Sequence, residues 1–386
     1  MNRKKLLQSK SRGSAMALMM VALVVLLVTG VGLLSMGLRS RLFALRTASE
    51  IAARCAADAG LTKAVFEMNQ KLKAIPWSDS NLPQVTNETL ANCDALFSYT
   101  ITGDGSSGYT VESIGSYGRA ERKVRSTLRL RGLFESAILV QETIRLKTGT
   151  IVDGYDSSNP SAEDVPVQIA TTSTEPGSIS LGGASVDGEA LVGVDGYFPV
   201  VTPPILPDMG AAIDIQGTAL TIGLADSGMY TGISVKRGTG TSGALVIDAG
   251  AQGGEVVLYI TGDVGLGQDC ELVIKPNTSL VMYLDGDLVT GNSSGINNES
   301  QDPTAFVLYG TGHDQNFDLK AKSEWYGAVY APNADVTIKA GSTVSGSFVC
   351  SNFSAGEGSL ILYDEALRDV TTTDVGVVFV VDRWYE

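Results

Sequence analysis

The chain has a single histidine, three tryptophans and four cysteines in 386 residues, and the cysteines form no C-x-x-C pair. Zinc sites built from cysteine and histidine are excluded by that count and spacing. His313 lies in Gly312-His-Asp-Gln315, and no Gly-x-Ser-x-Gly elbow occurs in a strand-to-helix context. A Ser-His-Asp hydrolase therefore finds no support. Basic residues are scarce in the C-terminal part, where residues 151–386 carry 8 Lys+Arg against 31 Asp+Glu. So acidic a body argues against nucleic acid as a partner. The last deficit is the most informative: no charged residue occurs between Arg12 and Arg39.

That uncharged run of 26 residues exceeds the roughly 20 that a helix needs to cross about 30 Å of hydrocarbon. It is too long for a secretory apolar core, and no Ala-x-Ala site follows it. The expectation is a basic leader over 1–13 and a transmembrane helix over 14–38. Arg3, Lys4, Lys5, Lys10 and Arg12 precede the run, whereas Arg39, Arg41 and Arg46 follow it. That bias puts the N-terminus in the cytoplasm and exports the remainder.

Beyond Arg39 the apolar residues recur at helical spacing, with Leu42, Leu45, Ala48, Ala52, Cys55, Ala56 and Ala59 leading to Val65, Met68 and Leu72. Residues 39–75 read as an amphipathic extension of the same helix. Pro76 stops it. Gly60 is its one weak point, costing about 1 kcal/mol against Ala. The whole helix would be about 90 Å long. Residues 76–135 read as a small antiparallel sheet, with strands at Phe97–Thr102 and Tyr109–Ile114 around a Gly- and Ser-rich turn. Over 123–131 the chain alternates, with Val124, Ser126, Leu128 and Leu130 on one face and mostly basic residues on the other. No aromatics interleave with those charges, so the basic face reads as solvated rather than nucleic-acid-binding.

From 136 to 370 the character is all-β. Val257-Leu-Tyr-Ile-Thr-Gly-Asp-Val264 returns 24 residues later as Val281-Met-Tyr-Leu-Asp-Gly-Asp-Leu288, and Val307-Leu-Tyr-Gly310 follows 26 after that. Ile151-Val-Asp-Gly likewise matches Ser185-Val-Asp-Gly188. Periods of 20–30 residues built from short strands predict a solenoid, a β-helix in the first instance and a jelly-roll sandwich as the alternative. Residues 371–386 add an apolar strand that caps or pairs at an edge. The fold class expected is thus α+β for the first part, followed by an all-β solenoid.

The basic leader ending in Arg12-Gly13, the long apolar helix and Ala56-Ala-Asp-Ala-Gly-Leu-Thr-Lys-Ala64 resemble the N-terminus of type IV pilin-like proteins. The likeness is to PilX-type accessory or minor pilins and to the large pseudopilins of secretion systems. It implies removal of the leader between Gly13 and Ser14 and a single-pass place in the bacterial inner membrane, with the bulk periplasmic or at the cell surface. Its implied partners are other pilin-like subunits and the assembly machinery, packed along Leu42, Leu45, Ala48, Ala52, Ala56 and Ala59. Major pilins carry glutamate at the fifth mature residue, where this chain has Leu18, which argues against ordinary incorporation into a fibre. Asp285–Asn298, Tyr309–Gly312, Tyr326–Asp335 and Tyr363–Leu367 resemble an uncharacterised bacterial β-solenoid domain, implying an extracytoplasmic module without established chemistry.

Export to an oxidising compartment suits disulfides. Pairing within each part gives Cys55–Cys93 and Cys270–Cys350, with a buried free thiol at Cys55 as the alternative. Acidic turns such as Asp263 and Asp285-Gly-Asp287 suggest Ca²⁺ as the one candidate cofactor, though they lack the twelve-residue loop spacing and solvated turns suit them better. The function expected is a membrane-anchored assembly or structural protein that displays the acidic solenoid for assembly, adhesion or binding of a surface polymer or glycan. The alternative is a tethered polysaccharide-active β-helix enzyme using clustered carboxylates.

Overall fold

A computed structural model describes residues 14–74, 76–105, 108–159 and 165–385, so the leader with Gly13 lies outside the described residues. The chain divides into two compact units, residues 1–129 with 379–386, and residues 130–378.

The first unit holds helix α1 (Ser14–Leu72), which continues unbroken through Arg39. Strands β1 (Gln84–Thr89), β2 (Leu96–Asp104), β3 (Gly108–Tyr117) and β4 (Ala120–Arg131) form an antiparallel meander. The last strand, Val378–Tyr385, takes the free edge beside β4. Alternation along β4 follows the sequence pattern, since Val124, Ser126 and Leu128 are buried while Lys123, Arg125 and Arg129 are exposed. Only the C-terminal half of α1 packs on this sheet, through Ala53, Ala56, Ala57, Leu61, Ala64 and Met68. These positions recur every three or four residues and so form one stripe.

Two glycines set how closely α1 approaches. A Cβ at Gly115 would lie 2.1 Å from the Ala53 carbonyl oxygen, and one at Gly60 would lie 2.3 Å from the Ser113 Oγ. The helix residue that looks weakest by propensity is thus the one that lets the helix lie on the strand. The Asn69 side chain then donates to the Phe379 carbonyl at 3.0 Å and accepts from the Phe379 N–H at 2.6 Å, tying the terminal strand to α1.

The second unit is a parallel β-solenoid with three short strands per coil. One coil runs Val264–Leu266, Glu271–Ile274 and Thr278–Leu284, each paired in parallel with strands of the coils on either side. The repeats seen in the sequence are the pairing register itself. Val257 pairs with Val281 and Val281 with Val307, while Ile151 pairs with Ser185. Inward-facing positions stack into buried columns such as Leu258, Met282, Leu308, Val329 and Phe348. A second column, Cys270, Ser294, Ser323, Ser342, Ser359 and Thr150, puts a small buried residue before six successive strands of one face. Its hydroxyls bond turn carbonyls, as in Ser342 to Lys320 (3.0 Å) and Thr150 to Gly356 (2.9 Å).

Chain order and spatial order differ. The first strand, Ile138–Val140, stacks on Phe348–Ala355 near the C-terminal end of the unit. The strands of the coil after it, up to Gly188–Val192, stack beyond that. The coil that begins at Ile213 lies at the opposite end of the same sheet. Residues 193–212 therefore run the length of the stack as a strap. Nine strand spacings separate its two ends in that sheet, about 43 Å at 4.8 Å each. Twenty residues reach that far, given about 3.1 Å per residue in an extended polyproline-like segment.

Two substitutions test this packing. Gly115→Ala should lower the stability of the first unit by about 1–3 kcal/mol through overpacking against α1. Leu308→Ala should cost the solenoid about 2–5 kcal/mol. Denaturant titration followed by circular dichroism measures both, and an unchanged midpoint for either would refute the contact on which it rests.

Candidate functional site

Residues 15–48 are exposed throughout, and none of the most apolar stretch of α1 is covered by the rest of the chain. By length and composition this helix can cross a membrane. Further along, the helix has two sides. The side facing the sheet is closed. The opposite side carries Ala44, Ala48, Ile51, Cys55, Ala59, Thr62 and Phe66, again at spacings of three and four. Ile51 is 58% exposed and Phe66 60%. Such spacing is that of a coiled-coil seam.

The stripe expected from the sequence straddles these two sides. Leu42, Leu45 and Ala48 are exposed, and Ala52 and Ala59 are half-buried. Ala56 is a correction: it is fully buried within its own chain and has no surface left for a neighbouring subunit. The periodicity was legible, but the sheet covers a face rotated away from the one that hydropathy singles out. The alanines at 53, 57 and 64, together with Gly60 and Gly115, mark the covered face, and the run of small residues is the signal that would have found it. Ser14 begins α1, and Gly13 before it lies outside the described residues.

All four cysteines are free thiols. Cys55 is exposed on the outward side of α1, so a buried thiol there is corrected. Cys93 is half-buried in the turn between β1 and β2. Cys270 and Cys350 are each buried, on coils three steps apart, since the strand after Cys270 pairs through Gly295 and Glu324 to Thr343. Three steps are about 14 Å, and a disulfide needs Cα atoms within about 7 Å. The Cys270–Cys350 pairing is therefore corrected. Burial, with the charge of Asp335 added, pushes the Cys350 thiol up well above its ordinary value.

The acidic turns are used between coils. Asp263 accepts from the Asp287 N–H at 2.9 Å, and Asp287 accepts from the Asn316 N–H at 2.8 Å. Asp285 accepts from the Tyr259 hydroxyl at 2.6 Å, which pushes that phenol up to about 12. Among the described residues no group of three or more His, Cys, Asp or Glu side chains is placed to hold a metal ion. His313 is exposed in the turn before Gln315–Leu319.

Residues 220–370 match a family described only as a domain of unknown function (DUF7305). No curated protein matches the chain. Among solved structures, an ice-binding protein of the Antarctic ascomycete Antarctomyces psychrotrophicus is 14% identical, with 63% of this chain and all of that one covered at a TM-score of 0.32. The competence-associated pilin ComZ of Thermus thermophilus is 14% identical over 87% of this chain and 97% of that one, at 0.21. An ice-binding protein domain (DUF3494) of Shewanella frigidimarina is 13% identical over 60% and 95%, at 0.31. Scores this low carry no argument about this chain.

Thiol accessibility checks the two sides of α1. In the folded, unassembled protein a water-soluble maleimide should label Cys55 rapidly, whereas Cys270 and Cys350 should react only after unfolding. Peptide mapping that found Cys55 protected in the dispersed subunit would overturn the outward placement of the stripe.

Proposed function

We propose that the chain is a pilin-like, membrane-anchored structural subunit, processed between Gly13 and Ser14, that assembles through α1 and displays the acidic solenoid outside the inner membrane. One observation carries this reading: α1 is apolar and bare over its first half, and over its second half it is closed on one side and open along an apolar stripe on the other. A soluble domain has no use for such an element. In lipid the first half is satisfied by acyl chains. On extraction, that half and the stripe need other helices in exchange, and small residues such as Ala44 and Ala48 let helix backbones approach closely. The partners are other pilin-like subunits and their assembly machinery. The solenoid, whose carboxylates already serve its own turns, is in this reading a display and binding module rather than an enzyme.

Mass spectrometry of the mature protein should show the loss of thirteen residues, leaving Ser14 as the N-terminus. An intact leader would reduce the chain to a simple anchored protein. In membranes a short bis-maleimide should join Cys55 to a partner subunit. Cys55→Ser should abolish that product and Phe66→Glu should lower its yield about tenfold, whereas Thr102→Glu, on the sheet, should leave it unchanged. A yield indifferent to Phe66→Glu would remove the stripe from assembly.

A further inference from the structure

The solenoid face beneath the strap holds a column of tyrosines that the proposed function does not use. Tyr259, Tyr283, Tyr309 and Tyr330 pair in register on four successive coils. The two at the ends of the column are hydrogen-bonded, Tyr259 to the Asp285 carboxylate and Tyr330 to the Pro199 carbonyl of the strap at 2.7 Å. The two in the middle differ. Tyr283 and Tyr309 are stacked, with ring centroids 5.2 Å apart, and each is only 6% exposed. Neither hydroxyl has a hydrogen-bond partner among the described residues. Neither oxygen is sealed in the core, so both hydroxyls open to solvent.

Both rings line a cleft of about 710 Å³, bounded by the strap at Pro204 and Leu206 and by residues 366–375. That volume lies in the range of small-molecule sites, about 300–1,000 Å³. The floor is apolar, formed by Val257, Val281 and Val307 together with Leu367. The charged residues that line it are all acids, Glu255, Asp369 and Asp374. Burial chiefly, then the neighbouring Tyr283 phenol, and after it the charges of Asp374 and Glu255, push the Tyr309 phenol upward. Its hydroxyl therefore stays protonated and free to bond a guest, and both carboxylates lie within electrostatic reach of it.

We propose that this cleft binds a small organic cation, an ammonium ion carried on an apolar body. The valine floor takes the body. Glu255 and Asp374 meet the charge at the rim, and the edges of the stacked tyrosines with their free hydroxyls fill the ground between. An apolar acid is repelled by the rim, and a neutral guest leaves the carboxylates unanswered. The site is independent of α1 and stands whether or not the chain assembles as a pilin.

The test is calorimetric titration of the full chain in nanodiscs with phenethylammonium, with the heat from empty nanodiscs subtracted. Saturable one-to-one binding is expected, about tenfold weaker in the Glu255→Gln, Asp374→Asn double variant and about fivefold weaker in Tyr309→Phe. Both charge changes are on exposed residues, and Tyr309→Phe keeps the ring stack, so the fold is preserved. 2-Phenylethanol should bind at least about tenfold more weakly than the cation, and 3-phenylpropionate should not bind. The inference is overturned by the absence of saturable heat up to about 5 mM, by equal affinity for the alcohol, or by a double variant that binds as the parent does.

Discussion

A coil of three short strands has an apolar inner face and cannot cover it alone. The second unit rests on that constraint. Stacking Leu258 on Met282, Met282 on Leu308 and Leu308 on Val329 buries each side chain against the coil above and the coil below. The backbone pairing that brings these columns together also hydrogen-bonds each interior strand to the coils on either side. Small residues at the corners follow from the same demand, since a turn must close inside a wall of neighbouring turns. Cys270 occupies one of those corners, in line with Ser294, Ser323 and Ser342, so its thiol fills space there.

Helix α1 is under the opposite constraint. It has more apolar surface than its own chain can cover, and the four-stranded meander with its added edge strand closes one side of one half only. The close approach at Gly60 and Gly115 makes that contact tight. Ile51, Cys55 and Phe66 are exposed on the other side, while Ala53, Ala57 and Leu61 are buried against the sheet. The assembly proposal rests on that geometry.

The acidic composition has a local reading as well as a global one. Asp263, Asp285 and Asp287 bond the next coil or the tyrosine column, so part of the negative charge is structural. Asp374 accepts from the Thr371 N–H within its own turn, and Glu255 is exposed beside the cleft. Both line the cleft that also holds Tyr283 and Tyr309.

Several features were legible from residue order alone. The helix and its length follow from an uncharged run with no proline before Pro76. The solenoid register follows from the 24- and 26-residue repeats, because identical patterns at a fixed period pair with themselves. The alternation along 123–131 settled which side of β4 is buried. Other features are properties of contact between segments far apart in sequence, and only the folded chain decided them. Which stripe of α1 is closed depends on where the sheet lies. The strap could not be read, since nothing in residues 193–212 says that the coils at 138–192 stack beyond the last one. The separation of Cys270 from Cys350, and the free hydroxyls of Tyr283 and Tyr309, likewise appear only when coils distant along the chain take their places. Periodicity fixes local geometry through the short-range backbone, whereas the order of stacking is set by which apolar faces remain uncovered once neighbours have met.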